Sequence, residues 1–167
     1  MKNEVAIIGR GPSLVDYPAN ERLDADIWCL STGYEQTCFR LRKPNLVWQL
    51  HREFLFEPVL PSLGERVMLI RPSSLLPLAL VLDTDMLIKR FGLVFSSSVC
   101  WMMAKAITDG YKKISVYGYE MTHQSEYGYQ RDAFYYFYGM AKALGIEVEI
   151  PKNSGVYFVE AAYELRR

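Results

Sequence analysis

The stretch Glu4-Val-Ala-Ile-Ile-Gly-Arg-Gly-Pro-Ser13 decides the fold class. Its first half is a short apolar run, and the run ends in a Gly-x-Gly-Pro-Ser turn, the pattern of a buried strand stopping in a tight loop. Working outward, residues 26–33 (Asp-Ile-Trp-Cys-Leu-Ser-Thr-Gly) and 45–51 (Asn-Leu-Val-Trp-Gln-Leu-His) read as second and third strands, each with its polar residues at the C-terminal end. Residues 66–71 read as a fourth, stopped by Pro72. The stretch 72–94 has no single reading: Pro77 interrupts an apolar run, and 75–93 fits a helix, a lid or a packing segment equally.

Beyond it the pattern sharpens. Ser96-Ser97-Ser98 can cap a helix whose body, 99–108, ends at Asp109-Gly110 with Gly110 as the residue past the C-cap. Residues 113–118 come next as a strand, 132–144 as a helix stopped by Gly145, 147–150 as a short strand before Pro151, and 156–167 as a C-terminal helix. Strands alternating with helical segments, with polar residues gathered at strand ends, predict an α/β, Rossmann-like three-layer sandwich with a mostly parallel central sheet. At 167 residues, without repeats, low-complexity tracts or a linker, the chain reads as one domain, 1–167.

Composition removes several classes of function. Hydrophobic residues make up 50% and charged residues 23%, the balance of a folded globular protein and not of a disordered tail. Lys+Arg and Asp+Glu stand at 19 each, so no basic excess exists for holding nucleic acid or an anionic membrane through phosphates. Cys29, Cys38 and Cys100 form no C-x-x-C pair and the chain has two His, which favours reduced cysteines and neither a disulfide framework nor a metal site. No 18-residue apolar span and no leader-like start is present, so a soluble, cytoplasmic protein is expected.

In an open parallel sheet the ligand crevice lies outside the carboxyl ends of the strands. The residues expected there are Gly9, Arg10, Gly11, Pro12 and Ser13 after the first strand, Ser31 and Thr32 after the second, Gln49 and His51 after the third, the helix start at Ser97 and Ser98, and the segment from Gly118 to Gln130. The Gly9–Ser13 turn can hold a phosphate on free backbone N–H groups at a helix start, or be a tight turn with no ligand; Leu14 stands where a dinucleotide fingerprint would have its third small residue. Ser96–Ser98 is either an N-cap alone or a second anion-binding helix start. Within 118–130, Glu120, His123 and Glu126 offer general acid/base groups or contacts to sugar hydroxyls, and Tyr127 and Tyr129 offer rings for stacking; the alternative is a solvated loop. Phe134-Tyr-Tyr-Phe-Tyr138 cannot face one side of a helix, which predicts core packing plus a homo-oligomer interface on helix 132–144.

Two blocks carry a family resemblance. Val5-Ala-Ile-Ile-Gly-Arg-Gly-Pro-Ser-Leu14 resembles the opening of the Campylobacter-type sialyltransferases of glycosyltransferase family 42, and of the related flagellin-modification and pterin-pyrophosphokinase-like proteins. The segment from Ser96 to Gly118 is similar to their Thr-Ser-Gly helix, Gly-Tyr-Lys turn and strand ending in glycine and an acidic residue. The resemblance implies a cytidine nucleotide held by Gly9, Gly11, Ser13, Ser97 and Ser98, with Ser31 in the place of an asparagine. The region from Glu126 to Pro151 looks more like proteins of tailed phages and prophages. The chain is shorter than the sialyltransferases and lacks the lid insertion that carries their catalytic histidine, while Phe95 and Ser31 replace polar residues of that family. The expectation is a small protein binding a nucleotide or nucleotide-sugar, CMP-linked by the resemblance, with no separate cofactor. It acts either as a reduced glycosyltransferase with Glu120, His123 or Glu126 as base, or as a non-catalytic nucleotide-binding protein.

Overall fold

The computed structural model describes residues 3–18, 21–51, 58–122 and 128–157. Seven strands form one sheet: β1 (Glu4–Ile8), β2 (Asp26–Leu30), β3 (Leu46–Gln49), β4 (Val67–Leu69), β5 (Leu80–Val81), β6 (Lys113–Tyr117) and β7 (Glu147–Glu149). Their order is β5-β4-β3-β2-β1-β6-β7 and every pairing is parallel, with Ile8 opposite Cys29 on one side and Tyr117 on the other. The expected mostly parallel α/β sheet is the one observed.

Burial explains why the central strands read as unbroken apolar runs. In β1, Val5 and Ile7 face one layer and Ala6 and Ile8 the other, and all four are at most 1% exposed. The first layer holds α3 (Thr84–Phe91), α4 (Ser98–Asp109) and α5 (Gly128–Ala143), which bring Leu87, Phe91, Met102, Met103, Phe134 and Phe137 against Trp28, Trp48 and Val116. The second is covered by shorter pieces. A 3₁₀ turn at Pro12–Asp16, α1 (Tyr34–Arg40) and α2 (Leu60–Leu63) lie along the chain there, and Leu14, Tyr17, Leu60 and Leu63 pack on Ile27, Cys29 and Val47.

Several boundaries differ from expectation for local reasons. The second strand ends at Leu30 because Ser31–Gly33 coils into a 3₁₀ turn, and the third ends at Gln49 instead of running on to His51. Residues 72–94, ambiguous in sequence, contain β5 and α3, whose N-cap Asp83 accepts the Met86 N–H at 2.9 Å. The aromatic helix starts at Gly128, four residues before the expected 132. Val156 and Tyr157 are not helical, and the rest of the expected C-terminal helix lies outside the described residues. The aromatic run on α5 is used largely inside: Phe134 and Phe137 are fully buried, and the Tyr136 hydroxyl donates to the Phe91 carbonyl at 2.9 Å. Among the described residues no helix is long and apolar enough to cross a membrane.

Candidate functional site

β1 and β6 are neighbours at the centre of the sheet, yet the chain leaves β1 toward β2 and leaves β6 toward β7. The two loops therefore diverge and open a crevice between them, the switch point at which parallel sheets hold ligands. A cleft of about 540 Å³ lies there, within the usual range for small-molecule sites. Its walls come from Arg10, Gly11 and Pro12 after β1, Leu30 at the end of β2, Ser97 and Ser98 at the start of α4, the residues from Gly118 to Thr122 after β6, and Gln130 of α5. The glycine loop and the Ser97 helix start thus share one cleft.

At Gly9 and Gly118 the loops meet backbone to backbone. A Cβ on Gly9 would lie 2.2 Å from the Gly118 carbonyl oxygen, and one on Gly118, whose φ is +73°, would lie 2.8 Å from the Gly9 carbonyl. This close approach requires glycine on both strands. The Gly9 amide donates to the Tyr117 carbonyl at 2.7 Å, and the Gly11 amide to the Gly118 carbonyl at 2.8 Å. The Ser13 amide and hydroxyl both donate to Oε1 of Glu120, at 3.0 and 2.6 Å, while the Ser13 oxygen accepts the Gly118 amide at 3.0 Å.

These bonds occupy the amides of the expected phosphate cradle. The amides of Gly9, Gly11 and Ser13 are already donated within the protein, Pro12 has none, and Ser13 is 1% exposed. The turn leads into a five-residue 3₁₀ segment and not an α-helix, so it brings no helix dipole of consequence. Gly9, Gly11 and Ser13 shape the cleft without offering it donors. Arg10 and Pro12 are the exposed members of the loop, and the aliphatic stem of Arg10 packs over Gly33.

The start of α4 is different. The helix runs for 12 residues, and its N-cap Ser97 makes no side-chain capping bond. The Ser98 and Val99 amides have no acceptor within the helix, and the Ser97 hydroxyl lies 3.1 Å from the Cys100 sulfur instead. The positive end of the helix dipole thus sits where Ser97 and Ser98 line the cleft, with Arg10 in the same wall. Cys100 supplies no nucleophile here: burial pushes its thiol up, against a smaller opposing effect of Ser97.

Glu120 is a tie. Beyond its two bonds from Ser13, Oε2 accepts the Gly155 amide at 2.8 Å. Burial favours its protonated form, but the Ser13 hydroxyl and the Ser13 and Gly155 amides outweigh it and hold the carboxyl below its ordinary value. Ser154 adds a bond from its hydroxyl to the Tyr119 carbonyl at 2.6 Å, and Val156 next to it is fully buried, so 154–156 is fixed over the β6 loop. Glu120, one of the expected bases, is thus bonded on both oxygens, and its carboxylate is a weakened proton acceptor. Met121, beside it, has φ +46°, a rare conformation for a residue with a side chain and one that no sequence pattern announces.

The remaining expected residues lie elsewhere. Ser31 is 5% exposed and donates its hydroxyl proton to Oε1 of Gln49, whose Nε2 donates to the His51 carbonyl. Ser31 and Gln49 are thereby a strut between the ends of β2 and β3. Thr32 is exposed on the 3₁₀ turn and is not in the cleft wall. Gln49 and His51 line a separate hollow at the ends of β3 and β4. His123, Glu126 and Tyr127 lie outside the described residues, and Tyr129 faces a neighbouring groove with Phe95 and Tyr136. Thr122 and Gln130 stand in the wall, although nothing in the sequence marks them beyond membership of a polar segment. Among the described residues no three His, Cys, Asp or Glu side chains are grouped as metal ligands.

No protein-family model matches the chain, and no curated protein does. Its fold is similar to solved structures of the sialyltransferase CstII from Campylobacter jejuni. The complex of CstII with the substrate analogue CMP-3FNeuAc has a TM-score of 0.64 at 19% identity, covering 89% of this chain and 79% of that one. The complex with cytidine-5'-monophosphate has 0.64 at 20%, covering 91% and 81%. A third, with trisaccharide acceptor and CMP, has 0.62 at 18%, covering 89% and 80%. Likeness at this identity is likeness of fold.

Proposed function

We propose that the β1–β6 cleft binds a nucleotide or nucleotide-sugar, its phosphate between the Arg10 guanidinium and the start of α4 at Ser97 and Ser98. The observation that carries this reading is the pairing, in one cleft, of an exposed arginine with an uncapped helix start. The apolar parts of the wall, Leu30, Tyr119 and Met121, suit the base or sugar face. Support for a cytidine nucleotide comes from the CMP complexes of structures with this fold and from the resemblance of the two sequence blocks.

The chemistry of such a site is sugar transfer by a reduced, sialyltransferase-like enzyme, with His123 or Glu126 as base and Glu120 as a positioning residue. A specific observation favours the second reading, binding without turnover: among the described residues of the cleft wall the one carboxylate, Glu120, is spent on Ser13 and Gly155. A phage origin and a cytoplasmic location rest on the sequence alone, and Tyr129 and Tyr136, both partly exposed, are where α5 would meet a second copy.

A thermal-shift panel of CMP, UMP, GMP, AMP and their sugar conjugates tests the binding. At 100 times its Kd the right nucleotide adds about 2.7 kcal/mol. Arg10→Gln weakens it by about 1.5–3 kcal/mol, the worth of a charged hydrogen bond. A panel in which nothing stabilises the protein, or in which Arg10→Gln changes nothing, defeats the reading. Nucleotide released from a sugar conjugate, and lost in His123→Ala or Glu126→Ala, decides for the enzyme over the binder.

A further inference from the structure

Among the described residues the most exposed large apolar side chain is Leu93, 86% exposed on the turn between α3 and α4. Gly92 stops α3 at φ +83°, a conformation that favours glycine, and Leu93 follows it into solvent. Beside Leu93 lies a groove of about 400 Å³, walled by the turn 93–96 and by one face of α5 that includes Tyr129, Asp132 and Tyr136. We propose that this face joins two copies of the chain across a two-fold axis, Leu93 of each seated in the groove of the other, an arrangement that rests on the reading that α5 meets a second copy and is independent of nucleotide binding.

Two copies related by a two-fold meet through the same patch, so that patch must carry both halves of the contact. Here a protruding leucine and a groove of a size to receive it stand side by side. Charge follows the same pattern. Leu93 comes four residues after Lys89, exposed in the basic last turn of α3, while the groove wall carries the exposed carboxylate of Asp132. Arg90, next to Lys89, is turned back onto its own chain, bonded to the Thr108 hydroxyl at 3.1 Å and lying over the Phe91 ring. A two-fold therefore brings each basic approach, with its leucine, to the acid-edged groove of the partner, and does so twice.

The groove is built in advance. Phe95 stacks on Trp101 with ring centres 3.8 Å apart and planes 13° from parallel, and the Tyr136 hydroxyl is anchored on the Phe91 carbonyl. The Ser96 hydroxyl donates to the Tyr129 carbonyl at 3.2 Å, which ties the turn to the first residues of α5. Rings already held in place lose little freedom when a partner settles on them, and aromatic side chains are enriched at the centres of interfaces. The groove borders the β1–β6 cleft without sharing a wall residue: Ser96 and Tyr129 belong to the one, Ser97 and Gln130 to the other.

Sedimentation velocity of the full chain over a range of concentrations, without nucleotide, tests the interface. A monomer–dimer equilibrium is expected. Leu93→Ser weakens it at least tenfold with the circular dichroism spectrum unchanged, while Leu78→Ser, at another exposed leucine, before β5, leaves it intact. Asp132→Lys weakens it as well, and Lys89→Asp in the same chain restores it. A chain that stays monomeric at every concentration defeats the meeting of copies altogether. A dimer untouched by Leu93→Ser, lost equally in Leu78→Ser, or not restored by the exchange of charges overturns this interface and leaves the copies to meet elsewhere. None of these outcomes depends on whether a nucleotide binds.

Discussion

Glu120 shows how much one side chain can organise. Its two oxygens receive Ser13 and Gly155, so the loops after β1 and β6 and the segment 154–156 are held by one carboxylate. Glu120→Ala leaves buried N–H groups without an acceptor, which costs about 1–3 kcal/mol each; urea denaturation is expected to show a loss in that range, and an unchanged midpoint would contradict the tie. Because the folded pKa lies below the ordinary 4.5, the stabilisation is complete above that value and is lost as pH falls through the folded pKa. Glu120→Gln is therefore expected to lower stability at pH 7 and to flatten its decline in acid. At this scale the sequence was only half legible. The glycines after β1 and the glutamate after β6 could be picked out as site residues, but their bonds are long-range, and no local pattern tells an amide aimed at a ligand from one aimed at Gly118.

The elements divide by how local their signals are. α4 was readable because its start, body and stop are contiguous: Ser97, a run at 99–107 that is apolar except for Lys105, and Gly110 in the left-handed conformation at φ +80°. A Cβ on Gly110 meets nothing within 4 Å, so Gly110→Ala costs only the conformational strain, about 1 kcal/mol, visible as a lower Tm. α3 carried similar signals that were masked by the prolines before it: Asp83 as N-cap, Lys89 and Arg90 in the last turn, and Gly92 as stop. β5 was beyond reading, since two exposed residues have no periodicity and take their form from pairing with Met68 and Leu69. Phe134 and Phe137 are three apart on α5 and both face the core, while Tyr136 between them is 38% exposed, the split that a 100° step imposes on consecutive rings.

Across the whole molecule, the apolar strands separated by helical segments were enough for the parallel sheet, but the strand order was not in the sequence. The order places the loops after β1 and β6 together and leaves Gln49 and His51 two strands away, which is why one expected site became two hollows. On the face of β6–β7 opposite the apolar layer of Ile114, Val116 and Val148, the strands are joined by a polar network. Arg22 donates to both oxygens of Glu149 at 2.6 and 2.5 Å, and Tyr117 and Lys113 add bonds to the same carboxylate. Burial raises the Glu149 pKa, but Lys113, Tyr117 and Arg22 together bring it down to about 2. Its stabilisation is complete above 4.5 and is lost as pH falls from there toward 2. Glu149→Gln is expected to lower Tm at pH 7 and to make the loss of Tm below pH 4.5 less steep; parallel profiles for the two proteins would remove this network from acid unfolding. The central claim concerns where a phosphate goes, and a crystal structure with cytidine 5'-monophosphate addresses it most directly. The phosphate is predicted within hydrogen-bond distance of the Ser98 amide or hydroxyl and the Arg10 guanidinium, with the Gly9, Gly11 and Ser13 amides still bonded to Tyr117, Gly118 and Glu120. A phosphate seated on those glycine-loop amides, or a nucleotide bound away from the β1–β6 cleft, would contradict it.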